Sequence, residues 1–161
     1  VTPLADAPVV TAAATAAYTE NATGTTLSSA LSLSDADDTQ MASATVSIGT
    51  GFTSGDQLSA TATGNITVSY NSATGVLSLS GTDTKANYQQ VLRSVVYSST
   101  SEDPTATSTT RAITWSVTDA DSDGAGAASG TASTSSVPAS DVPRVGTRAG
   151  RTPVVPAPPG R

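Results

Sequence analysis

The chain has 161 residues and a formal net charge of −6, with no cysteine, no histidine, 4% aromatic and 12% charged residues. That excludes disulfide staples, thiolate nucleophiles, soft-metal sites and the usual neutral-pH base, and it leaves room for one ordinary domain and a tail. Acids are concentrated in residues 1–140, where twelve stand against Lys85, Arg93 and Arg111, so no basic face exists there for nucleic acid.

No run of about 18 apolar residues is present and no charged-then-apolar leader opens the chain, which reads as a soluble mature fragment without membrane insertion. In chain order, period-two alternation predicts strands over 8–18, 25–34, 41–49, 57–62, 65–70, 75–80, 94–100 and 110–118. Turn signals such as "DADD", "NSATG", "SEDPT" and "DSDG" separate them. Short strands at this spacing predict an all-β fold, an antiparallel Greek-key sandwich. The segment "DTKANYQQVLRSV" breaks the rhythm. Tyr88, Val91 and Leu92 at helical spacing predict one short helix over 84–92, with Lys85 solvated at its start. Trp115 and Tyr97 lie within apolar alternation and are expected in the core.

Residues 141–161 differ in character, with Pro and Arg in place of Ser and Thr, and are expected to be a linker or tail outside a 1–140 module. "DAPVV" at Asp6 and "DVPRV" at Asp141 share Asp-x-Pro-x-Val, as if one repeat ended where the next begins.

Two acidic turns carry the chemistry. The first holds Asp35, Asp37 and Asp38, and the second, "TDADSDG", holds Asp119, Asp121 and Asp123. Counting strand reversals places both at one end of the sandwich, together with Asp6 of the segment that enters it. So many carboxylates in a partly desolvated cleft repel one another unless a divalent cation sits among them, and closely spaced Asp in polar turns suits the hard oxygen shell of calcium. Either turn alone fits the ordinary use of Asp to bind local backbone amides. Paired acids for glycoside hydrolysis are a poor match, because no aromatic residues accompany them. The "NAT" and "NIT" triplets and the Thr-x-Thr runs point to no function.

The stretches "YTENATGTTLSSALSLSDADD", "NSATGVLSLSG" and "VTDADSDG" resemble, in that order, cadherin-like repeats of extracellular proteins, including those of long bacterial adhesins and biofilm proteins. The resemblance covers about residues 6–140. It implies a sandwich that binds calcium at junctions between repeats, with Asp35, Asp37 and Asp119 as ligands at one end and Glu20 at the other, shared with Asp141. The expected role is a non-catalytic extender at the bacterial cell surface whose partners are adjacent repeats. The alternatives are a terminal domain that holds a surface glycan or protein, and a filament subunit assembled by strand addition.

Overall fold

The computed structural model describes residues 4–20 and 22–134 and the backbone of 139–140. Alternation builds its largest sheet. In β5 (Gln40–Ile48) Met41, Ala44, Val46 and Ile48 are buried, and in β10 (Ile113–Asp119) Ile113, Trp115 and Val117 are buried. β5 is the central strand of the order β11-β10-β5-β8-β7, in which β7 is Thr67–Asn71, β8 is Val76–Thr84 and β11 is Ser129–Thr134. Every pairing in it is antiparallel. A second antiparallel sheet, β3-β9-β6, joins Thr25–Thr26, Val96–Ser99 and Asp56–Ser59. Leu58 and Tyr97 of this sheet share one core cluster with Leu77, Leu79 and Trp115 of the first. The protein is therefore an all-β sandwich with one short helix.

The first two predicted strands are each divided in two. Residues 8–18 form β1 (Val9–Thr11) and β2 (Tyr18–Thr19), and residues 25–34 form β3 and β4 (Ser32–Ser34). β1 pairs antiparallel with β4, while β2 pairs in parallel with β12 (Ala139–Ser140). Each break lets the chain pass from one sheet to another. β11 and β12 were not predicted, because "SGTAST" and "AS" carry no large apolar residue to mark an inner face.

Helix α1 spans Lys85–Arg93 and buries Tyr88, Val91 and Leu92. Its cap is Thr84, whose Oγ1 accepts from the Asn87 N–H at 3.2 Å. The helix also covers β4, where Gln89 accepts from the Leu33 N–H at 2.9 Å and Arg93 Nε donates to the Leu31 carbonyl at 2.6 Å. Those contacts satisfy backbone groups that the short strand leaves unpaired.

Asp83 ties the 63–66 turn to this helix. It accepts from the N–H groups of Asn65 and Thr84, both at 2.7 Å, and from Asn87 Nδ2 at 2.9 Å. The Asn65 and Thr84 amides, then Asn87, hold its carboxyl below the usual value of 3.8. A depressed folded-state pKa adds stability above the unfolded value and loses it as pH falls through the folded one. Asp83→Asn is therefore expected to lower the urea midpoint at pH 7, and the deficit against the parent should shrink below about pH 4; equal deficits at both pH values would count against this account.

Candidate metal centre

The antiparallel pairing of β10 with β5 brings the acidic turns together. Asp119, at the end of β10, is in register with Met41 at the start of β5, and the Ala120 N–H donates to the Gln40 carbonyl at 3.0 Å. The turn of Asp35, Asp37 and Asp38 leads directly into β5, so the last residues of β10 lie beside it. Both strands carry register irregularities here, between Met41 and Ser43 and between Thr118 and Asp119. Such bulges redirect side chains at the ends of strands.

The second turn crosses to the first through Ser122, whose N–H and Oγ both donate to Asp38 Oδ1. Asp6 arrives from the other side, its N–H donating to Asp37 Oδ2 at 2.9 Å. Three stretches far apart in sequence thus meet at Asp35, Asp37 and Asp38.

Each of these three carboxylates is used in the same divided way. Asp35 Oδ1 accepts from the N–H groups of Asp37 and Asp38 at 3.1 and 2.8 Å, Asp37 Oδ2 accepts from Asp6, and Asp38 Oδ1 accepts from Ser122. The opposite oxygens, Asp35 Oδ2, Asp37 Oδ1 and Asp38 Oδ2, are buried and receive no donor among the described residues. Asp38 itself is only 1% exposed. One carboxylate oxygen from each residue lies within 4.8 Å of the other two. One oxygen fixed by a backbone amide and the other left over is how a ligand is held in orientation by its outer partners. Buried polar atoms in native proteins otherwise nearly always have partners.

Electrostatics divides the cluster. Burial, more than any other cause, pushes the Asp35 carboxyl above the usual 3.8, and the nearby Asp37 side chain adds to the rise. The Asp6 N–H, followed by the Asp35 side chain, holds Asp37 below it, and Asp123 acts in the same direction. Lys85 is half-buried and its Nζ donates to the Asp35 carbonyl at 2.9 Å. It is not the solvated residue expected. It neutralises part of the field while bonding to the backbone, leaving the carboxylate oxygens as they are.

The second turn is organised differently. Asp119 accepts from the N–H groups of Asp121 and Ala128 at 3.1 and 2.9 Å, Asp121 from Gly126 at 2.7 Å, and Asp123 from Ala125 at 2.9 Å. Asp121 has a φ of 53°, a left-handed conformation that Asp tolerates. These acids build their own turn, which is the ordinary structural use of Asp. Of these acids, Asp123 is near enough to Asp37 to help lower its pKa. Glu20 is buried, but it follows Tyr18, which packs edge-on against Tyr97 with ring centroids 5.1 Å apart. That is the end holding Asp56 and Arg111, so Glu20 is not drawn into the cluster. Asp141 and residues 142–161 lie outside the described residues.

Sequence reasoning passed over Asp56 and Arg111. Arg111 Nε and Nη2 grip the two oxygens of Asp56 at 2.6 and 3.1 Å, and the Tyr97 hydroxyl donates to Asp56 Oδ1 at 2.7 Å. No local motif links residues 55 positions apart. The only signal was a single Arg beside a strand of buried apolar residues.

Among known proteins, the chain is 44% identical over 86 residues to halomucin of the archaeon Haloquadratum walsbyi. The match covers 50% of this chain and 1% of halomucin, so it spans a small piece of a very long protein. No protein-family model and no solved structure matches. Among the described residues, no helix is long and apolar enough to cross a membrane. The similarity is to a short stretch of this archaeal protein and does not mark the chain as a cadherin-like repeat.

Proposed function

We propose that this chain is a non-catalytic, calcium-binding structural module of a large extracellular surface protein, an extender in which bound calcium fastens one end of the sandwich. The observation that carries this reading is the trio of buried oxygens on Asp35, Asp37 and Asp38 that accept no hydrogen bond among the described residues. Each is held on a carboxylate whose other oxygen is already fixed. Calcium takes hard oxygen ligands and tolerates irregular geometry, which suits carboxylates drawn from one tight turn. The ion would relieve the repulsion among three acids and tie together Asp6, the turn before β5 and the β10–β11 hairpin. Adjacent repeats of the parent chain are the expected neighbours, in keeping with similarity to a short piece of a very long protein and with the cadherin-like order of motifs.

A thermal melt tests the reading directly. A ligand that binds only the folded form adds about 2.7 kcal/mol at a concentration one hundred times its Kd. The midpoint is therefore expected to climb with calcium and return with chelator. Asp38→Asn should abolish most of that increment. A parent protein whose melt ignores both calcium and chelator would remove the ion from the account.

A further inference from the structure

A cavity of about 490 Å³ opens beside the acidic cluster, lined by Asp6, Ala7, Val9, Ser34, Asp35 and Ala36. It shares Asp35 with the cluster, and Asp6 with the segment that anchors Asp37. Its size falls in the range that holds small ligands. We infer that a cation held by Asp35, Asp37 and Asp38 serves this cavity as a bridge, binding a neutral sugar through a vicinal pair of hydroxyl groups. The inference rests on the cation reading above and adds a ligand to it.

The arithmetic of coordination is the first argument. Calcium takes six to eight oxygens, whereas the three carboxylates each offer one uncommitted oxygen. The partner oxygens are already occupied by backbone N–H groups and Ser122. Counting those three oxygens alone, three or more positions remain for a neighbouring carboxylate, for water or for the oxygens of a ligand, and the cavity beside Asp35 is where a ligand can stand.

Charge then selects the class of ligand. Asp6, Asp35, Asp37, Asp38 and Asp123 surround the position, against Lys85 and the two charges of the ion. A carboxylate, phosphate or sulfate ligand would enter a field still negative, while a diol carries no charge and supplies two hard oxygens. The remaining wall suits the other face of a pyranose: Val9 is 59% exposed, and Ala7 and Ala36 add methyl groups without bulk. Ser34 and Asp6 provide polar atoms at the rim for the other hydroxyls.

The test is titration calorimetry on the full chain, first with calcium alone, then with methyl α-mannopyranoside, methyl β-galactopyranoside and methyl α-fucopyranoside, each in calcium and in chelator. Binding of at least one glycoside, stronger in calcium by about 5- to 150-fold, is the expected result. Ala7→Trp, at an exposed position that fills the cavity, should keep calcium binding and lose the sugar. Failure to bind calcium would overturn the cation reading and this one with it. Calcium binding with no response to any glycoside, or a response unchanged by chelator or by Ala7→Trp, would overturn the sugar bridge alone. Calcium-driven association in sedimentation would show a second copy filling the free positions, and would also overturn it.

Discussion

Replacing Arg111 by Met is expected to destabilise the fold by about 3–5 kcal/mol, because removing one partner of a buried pair leaves the other charge without compensation. Both side chains of the pair are fully buried. Arg111 does more than neutralise Asp56. Its Nη2 donates to the Pro104 carbonyl at 2.7 Å and its Nη1 to the Ser108 carbonyl at 2.8 Å, so the long connection between β9 and β10 is wrapped around one guanidinium. Asp56 in turn accepts from the Thr53 N–H at 2.9 Å and from Tyr97, whose hydroxyl is pushed to a higher pKa by burial and by its bond to Asp56. Against a total stability of about 5–15 kcal/mol for a typical domain, such a loss puts the variant near the unfolding threshold at 37 °C. Urea unfolding at pH 7 measures it. The double variant Asp56→Leu, Arg111→Met should recover part of the loss, since well-packed apolar replacement of a buried pair is often neutral or better. A single variant within 1 kcal/mol of the parent would refute the assignment.

Trp115→Ala should cost a comparable amount, about 3–5 kcal/mol, through lost burial and the cavity left behind. Trp115 is fully buried at the middle of β10, in register with Val46 of β5 and Ala132 of β11. Its Nε1 donates to Thr134 Oγ1 at 2.8 Å, and Thr134 is itself fully buried. Trp115→Phe keeps most of the volume but leaves that hydroxyl without its donor, a penalty of about 1–3 kcal/mol. Far-UV circular dichroism during urea titration separates the two variants, and the expected order of stability is parent, then Phe, then Ala. Equal stabilities for the Phe and Ala variants would mean that the indole volume does not matter at this position. Because Trp115 is the sole tryptophan, its fluorescence also reports unfolding of every variant that retains it.

Much of the fold could be read from local pattern. The runs of Val46 and Ile48, Leu77 and Leu79, and Ile113 to Val117 alternate as half-buried strands must, and Tyr88, Val91 and Leu92 repeat at the helical period. Pattern failed where residues were small. β11 pairs along its full length with β10, yet its inward positions are Gly130, Ala132 and Thr134, which give no hydrophobic contrast. Gly130 has a reason of its own: a Cβ there would run into the Pro8 carbonyl, so the close seating of the segment before β1 requires glycine.

The acidic end shows where sequence stops and tertiary structure begins. Composition and spacing alone determined an acidic, cysteine-free, all-β chain with two clusters of Asp in turns, because hydrophobic periodicity and turn chemistry are local properties. They also placed both turns at one end, since strand reversal is a matter of parity. Which carboxylate oxygens are committed was decided only by the fold. The second turn bonds to its own amides, whereas the first, besides the Asp37 and Asp38 amides that Asp35 accepts, receives an N–H from Asp6 and two donors from Ser122 of the neighbouring turn. Those contacts join residues 31 and 84 positions apart. The same long-range packing paired Asp56 with Arg111 and brought Lys85 to the Asp35 carbonyl. A hydrogen bond between distant residues depends on the register of sheets that no single segment encodes, and for that reason the free oxygens of the cluster became visible only in three dimensions.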